Sequence, residues 1–349
     1  MNPPDLPPPT LRLRIDAQAL ASNWRALDRL SGSGEAGAAV KANAYGIGVA
    51  NVVPVLREAG ARRFFVAHWS EVPALLDHAP ASEIAVLHGP ISPEDAAFAK
   101  ATGVKPVLNS LHQVRLWLTA GGGLCDLMID TGINRLGLPV AELGDGDIAR
   151  LEIDTLMSHL ASADENAAQN RQQLDLFASV AREIPARRRS LANSAGIALG
   201  LDYAFDLTRP GVALYGGIPR SELSGTIAQV AFPQAAVLQL RNLLPGDSVG
   251  YNALFTADEP IRAATVSLGY ADGYLRAWTG RGELRRGDAV LPVLGRVSMD
   301  MIVVDASAAP DLREGDWLDL PYSLPEAAAS SGLSQYELLT LLGRRFHTD

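Results

Sequence analysis

Cysteine is nearly absent from this chain of 349 residues, Cys125 being the only one. No intrachain disulfide and no multi-cysteine zinc site can form, so a reduced compartment fits best. Lysine is almost as scarce: Lys41, Lys100 and Lys105 are the only ones, the other basic residues being arginines. A lysine inside an apolar run therefore demands an explanation. No apolar run approaches the length of a membrane span. The first ten residues, MNPPDLPPPT, have neither a basic start nor an apolar stretch and read as a disordered proline-rich tail, not as a secretory signal. Basic charge is in deficit, with 30 Lys plus Arg against 39 Asp plus Glu, and the net charge of -9 argues against a phosphate-backbone binder. The expectation is a cytoplasmic protein with no nucleic-acid or membrane partner. A hydrophobic fraction of 48% against 20% charged residues marks a folded chain, long enough for one large domain or two moderate ones.

Apolar runs rich in β-branched residues recur at 36–42, 64–69, 84–88, 104–109, 124–130, 153–160, 188–194 and 207–215. Amphipathic helical stretches at 52–59, 71–78, 93–101, 111–120 and 167–183 alternate with them. Eight strands alternating with helices predict a (β/α)8 TIM-type barrel, which carries catalytic groups at the C-terminal ends of its strands. After Gly216 the rhythm changes, and strand-like runs at 235–241, 249–255, 262–268, 289–294, 301–304 and 317–320 follow one another with turns between them. The expected organisation is a tail over 1–10, a barrel over 11–217 and a mostly-β domain over 218–349. That domain closes with a helix over 334–342, capped by Ser334 and stopped by Gly343. The LRLRID run, 11–16, fits neither pattern clearly and can equally be a strand of the β domain.

Lys41 lies at the end of the first barrel strand, in AAVKANAYG. An ammonium flanked by alanine and valine is costly to bury unless paired or deprotonated, and a deprotonated lysine is what Schiff-base chemistry needs. A lysine snorkelling from a strand end is the plainer alternative. Tyr45, Gly46 and Gly48 follow in a turn that lets backbone approach an anion. The six histidines show no metal-ligand spacing, and no metal is assigned.

Eight collinear motifs, spanning nearly the whole chain, carry a resemblance. AAVKANAYG (38–46), IDTGINRLG (129–137), MSHLASADE (157–165), ANSA (192–195), RPGVALYGG (209–217), VGYNALFTA (249–257), SLGYADGY (267–274) and GRVSMDMIVVD (295–305) resemble the pyridoxal-phosphate-dependent alanine racemase family. The resemblance implies that Lys41 holds the cofactor as an internal aldimine and is one of two bases, acting on an external aldimine of the substrate. It implies that Arg209 faces the pyridine nitrogen and, staying protonated, keeps that nitrogen unprotonated. It assigns the phosphate to Tyr45, the Ser194 hydroxyl within Asn193-Ser194, and the backbone N–H groups of Gly211 and Val212. His159 matches the histidine beside the cofactor ring. Read alone, Asn193-Ser194 is a helix cap. Tyr251 matches the second base, supplied across a two-fold by the partner of a homodimer whose active sites are shared. Racemisation needs a base on each face of a planar carbanion, which Lys41 alone cannot provide. Arg135 and the Met299 backbone match groups that hold the substrate carboxylate or the cofactor oxygen, and Tyr270 matches a tyrosine at the entrance.

Three positions depart from the family. Met128 stands where a carbamylated lysine commonly holds the arginine matching Arg135. The terminal run Leu342-Gly343-Arg344-Arg345-Phe346 lacks the tyrosine that often contacts the phosphate, and Ile47 replaces a common histidine. The implied reaction is interconversion of L- and D-alanine, the substrate being a small amino acid. The rivals are a racemase of another small amino acid, a decarboxylase of the same architecture and a non-catalytic pyridoxal-phosphate protein. A decarboxylase is disfavoured by Arg209, where those enzymes place an acid, and a carrier by the presence of the β domain.

Overall fold

The computed structural model describes residues 7–343 and 345–348, so residues 1–6 of the expected tail, Arg344 and Asp349 lie outside the described residues. The described chain divides into two compact units, one of residues 17–228 and one of residues 7–16 with 229–343 and 345–348.

The first unit is a closed parallel barrel. Its first strand comes in two pieces, Glu35–Ala36 and Ala38–Ala39, followed by Phe64–Val66, Ile84–Val86, Lys105–Leu108, Leu124–Asp130, Glu152–Met157, Arg188–Ser190 and Leu207–Thr208. Each pairs in parallel with the next. A bridge between Asn193 and Arg209 joins the seventh strand to the eighth, and the pairing of Leu207 with Glu35 closes the ring. All eight expected strands are present. Helices between them include Pro93–Thr102 and Leu111–Thr119, opened by the Ser92 and Ser110 hydroxyls accepting from Asp95 N (3.2 Å) and Gln113 N (3.3 Å).

Alternation along the strands fills the barrel in layers. Phe65, Ala85, Val107, Met128, Met157 and Leu207, one from each of six strands, form an apolar layer. Two residues earlier on their strands stand Lys105 and Asp126, and with Asp154 and Arg188 they form a buried ionic cluster. Lys105 Nζ pairs with Asp154 and lies 3.6 Å from Asp126 Oδ1, and Arg188 reaches Asp154 Oδ1 at 2.6 Å. Removing one partner of a buried ion pair leaves a charge without compensation. Lys105→Met should therefore cost about 3 to 5 kcal/mol of stability, read as a lowered urea midpoint at unchanged slope. An unmoved midpoint would show that the cluster contributes nothing.

The second unit is antiparallel. Strands Ala231–Leu243, Ile261–Val266, Ile302–Asp305, Ala289–Leu294, Glu283–Arg286 and Trp317–Asp319 pair in that order, and the last returns to the first. Leu11–Ile15 adds to Ala231–Leu243, so the LRLRID run belongs to this unit. Thr10 is tied down as well, its carbonyl accepting from Ala236 N at 2.9 Å. The barrel unit extends beyond the expected boundary at 217. Arg220 donates to the carbonyls of Ala163 and Glu165, and Ala228 N donates to Asn23 Oδ1 at 2.8 Å, which keeps the segment after Gly217 on the barrel. The expected strand at 249–255 is broken into Ser248–Val249, a helical turn Tyr251–Ala253, and Phe255–Thr256, because Gly250, Asn252 and Ala253 all take positive φ. The final helix runs Gln335–Leu341 with the expected Ser334 cap, while its C-cap is Leu342 and not Gly343.

Candidate active site

Lys41 does not stand on the first strand, which ends at Ala39, but opens the turn Lys41–Tyr45 at its C-terminal exit. Ala42, Asn43, Ala44 and Tyr45 are four consecutive non-glycine residues with φ of 53 to 55°. Left-handed backbone costs L-residues roughly 1–2 kcal/mol apiece, so the surrounding structure must hold this turn. Asn43 Oδ1 accepts from Val49 N at 3.0 Å, and the Tyr45 ring lies 4.9 Å from that of Tyr215, whose hydroxyl donates to Ala39 O at 2.8 Å. The amine of Lys41 has neither hydrogen-bond nor ion-pair partner among the described residues. Burial, and then the charges of Arg135 and Arg209, push its pKa below that of an ordinary lysine, and Glu71 works in the opposite sense. The other two lysines are engaged. Lys105 is in the ionic cluster, and Lys100 donates to Gly122 O at 2.7 Å over the Trp117 ring.

Arg209 leaves the eighth strand and is 6% exposed, so it is no surface residue. One of its terminal nitrogens donates to Ser190 Oγ and the other to Ser158 O, at 2.5 Å for the latter. Burial pulls its pKa to about 10, which still leaves it charged at neutral pH. His159, at the exit of the sixth strand, is pulled down to about 3 by burial first and by the Arg209 charge second, so it is neutral. Gln173 fixes this corner, donating to His159 O (3.0 Å) and to Thr131 Oγ1 (3.1 Å), which in turn contacts Ser158 Oγ (2.7 Å).

Ser194 Oγ accepts from both Gly211 N (2.8 Å) and Ala213 N (3.2 Å), leaving its own proton free to donate. The N–H of Val212 has no acceptor among the described residues. Tyr45 Oη lies so close to Gly211 that a Cβ there would be 2.3 Å away, which explains the glycine. Tyr45, Ser194 and Val212 thus converge on one small cradle, whereas the Gly211 N–H, expected to serve the phosphate directly, is taken by Ser194 Oγ. Asn193 stands beside it as a helix cap, its Oδ1 accepting from Gly196 N at 2.8 Å.

Arg135 is exposed on the turn after the fifth strand, where Asp130 Oδ1 accepts from Gly132 N and Ile133 N. No side chain holds it among the described residues. Met128 points into the apolar layer of the barrel, so the chain offers no anchor from that position. Ile47 is buried. In the β unit, Tyr251 is 67% and Met299 52% exposed. Tyr270 N donates to Ser298 O (3.0 Å) and Ala271 N to Met299 O (3.0 Å), placing the loops of Tyr270 and Met299 side by side. The Tyr270 ring lies under Arg276 at 5.3 Å. The terminal segment meets these loops through Arg345, which pairs with Asp272 at 2.6 Å and Asp300 at 2.7 Å.

Sequence reading missed Glu71, His68 and His88. Glu71 Oε1 accepts from Ala42 N, while Oε2 accepts from Ala67 N (2.8 Å) and His68 N (2.9 Å). His68 and His88 meet edge to face with ring centres 4.2 Å apart. One local signal was available for Glu71: a glutamate three residues after a helix N-cap, here His68, can reach back to accept the cap's N–H.

A closed barrel whose strand exits bring together an unpaired amine, a neutral imidazole, a buried guanidinium and a donor cradle has the layout of a catalytic barrel, with its chemistry at the C-terminal face. Family models described as the alanine racemase N-terminal and C-terminal domains match residues 15–219 and 230–349. An alanine racemase of Methylobacterium nodulans is 42% identical over 350 residues, covering 96% of this chain and 94% of that protein. The biosynthetic alanine racemase of Agrobacterium fabrum is 38% identical over 96% of this chain and 92% of its own. Among solved structures, the alanine racemase from Bartonella henselae with covalently bound pyridoxal phosphate superposes with a TM-score of 0.90 at 35% identity, covering 98% of this chain and 99% of that one. This chain belongs to the alanine racemase family.

Proposed function

We propose that this protein racemises alanine with pyridoxal phosphate held on Lys41. The observation that carries the reading is the unpaired Lys41 amine, its pKa lowered, at the exit of the first strand in a chain related throughout its length to alanine racemases. The residues present fit the cofactor. The cradle of Tyr45, Ser194 and Val212, flanked by Asn193, would supply O–H and N–H donors for a phosphate, with Gly211 holding the Ser194 hydroxyl in place through its own N–H. When bound, pyridoxal phosphate supplies the electron sink that makes the α-proton of an amino acid acidic.

Every other part is played by the chain. Arg209, which stays charged, would face the ring nitrogen of the bound cofactor and donate to it without protonating it, as the resemblance implies, and neutral His159 would add no charge beside it. The family resemblance assigns to the exposed guanidinium of Arg135 and to the Met299 backbone the holding of the substrate carboxylate or the cofactor oxygen, and to Tyr270 a place at the entrance. Lys41 takes or returns the α-proton on one face, and Tyr251, from the partner of a homodimer, does so on the other. The exposure of Tyr251, Leu254, Met299 and Met301 is consistent with a surface that a second copy covers. A cytoplasmic location accords with the lone buried thiol of Cys125. Among the described residues no helix is long and apolar enough to cross a membrane, and no group of three or more His, Cys, Asp or Glu is placed to hold a metal.

The test is a panel of L-amino acids offered to the purified protein with pyridoxal phosphate, followed by chiral chromatography. Alanine should be converted with the highest kcat/KM. Faster conversion of another small amino acid would reassign the substrate, and release of carbon dioxide without inversion would overturn racemisation.

A further inference from the structure

Glu71 is absent from every role considered so far, yet it is the side chain that touches the peptide next to Lys41. The N–H it accepts from belongs to Ala42, the first left-handed residue of the turn, 29 positions away in sequence. Its second oxygen takes the N–H groups of Ala67 and His68 beyond the second strand. One carboxylate therefore links the exits of two barrel strands. The Val40 carbonyl, accepting from Ala44 N at 2.9 Å, closes the turn from the other side, so the peptide unit after Lys41 is held between strand end and carboxylate.

We propose that Glu71 is a positioning residue that fixes the strained turn after Lys41 and thereby aims the Lys41 amine. This rests on reading Lys41 as the covalent anchor. The amine sits at the exit of a strand, and its direction follows the φ and ψ of its own residue and the plane of the peptide behind it. Freeing the Ala42 N–H would let four left-handed residues relax toward right-handed backbone and turn that plane. Misplacing a reacting group by about 1 Å can cost on the order of 10²-fold, so the function of Glu71 is felt at Lys41 without contact with substrate. Its charge acts in the same place. The titratable groups facing Lys41 are Glu71, Arg135, Arg209, His159 and His88, and of these only Glu71 is an anion.

The experiment compares wild type with Glu71→Gln and Glu71→Asp as apoprotein and as holoprotein. In the apoprotein, trace acetylation across pH, with Lys100 as internal reference, reads the midpoint at which Lys41 becomes reactive. Loss of the only neighbouring anion should move that midpoint down in Glu71→Gln. Hydrogen exchange should show residues 42–45 protected in wild type and exposed in the variant at unchanged overall melting. In the holoprotein, capture of pyridoxal phosphate should slow by at least about tenfold and kcat should fall with KM nearly constant, while Glu71→Asp recovers part of both. A folded Glu71→Gln protein with the wild-type midpoint, protection and capture rate overturns the proposal. If Glu71→Gln does not fold, absence of protection at 42–45 in the wild type overturns it equally. Failure of wild type to fix cofactor on Lys41 would instead refute the anchor reading, and the acetylation midpoint would still report on Glu71.

Discussion

Lys41→Ala should give a folded protein in which borohydride fixes no pyridoxal phosphate and racemase activity is lost altogether. Only three amines in the side chains can compete. Lys105 is locked between Asp126 and Asp154 in the barrel interior, paired with both carboxylates. Lys100 is occupied by the Gly122 carbonyl and the Trp117 face. Lys41 alone has no partner, and burial together with the Arg135 and Arg209 charges favours its neutral form. The sign of that shift sets a pH dependence. Because the pKa is lowered, the reactive neutral amine is populated at lower pH than in a free lysine, so cofactor capture should stay fast where model amines already fail. Peptide mapping after reduction of the wild type checks the assignment: the label belongs on Lys41, and recovering it on Lys100 or Lys105 would overturn it.

The barrel was legible because its strands are short apolar runs between amphipathic helices, and each of the eight starts within one residue of its expected start, though the last, expected over 207–215, ends at Thr208 and gives way to a helical turn over Val212–Tyr215. What the sequence did not reveal is backbone that leaves the regular regions without glycine. Ala42, Asn43, Ala44 and Tyr45 carry no local sign of left-handed φ beyond the tolerance of asparagine, so the strand was expected to run on to residue 42. The same holds for Tyr251, expected on a strand and found on a turn between Gly250 and Asn252. Residues joined by long-range contacts were equally hidden. Glu71 looked like the start of a helix, and its bond to Ala42 exists only once two strands lie side by side. Asn193 was legible both ways, as cap and as cradle neighbour, because a helix N-terminus stands where the donors converge. The outlying arginine also follows from sequence in part: Met128 was visible as a departure, but its burial in the barrel layer, with Arg135 left exposed and unsupported, needed the packing.

Tyr251→Phe should separate the two directions of proton transfer. The substitution removes one hydroxyl from a ring that is 67% exposed in this chain, so the fold has little to lose. On the proposed two-base reading Lys41 and Tyr251 serve opposite faces, so each would remove the α-proton of one enantiomer only, and the family resemblance implies that Lys41 would take that of D-alanine and Tyr251 that of L-alanine. In deuterated water the variant should therefore still exchange the α-hydrogen of D-alanine with retention, while exchange into L-alanine and net racemisation fall by roughly 10² to 10⁴-fold, the usual cost of removing a positioned general base. Proton NMR of each enantiomer, followed by chiral analysis, measures both at once. The asymmetry is what discriminates, since a tyrosine that merely packs or binds would slow both exchanges alike. If instead neither exchange slows, one base serves both faces, and Lys41, whose neutral form burial favours, is the group left to do it.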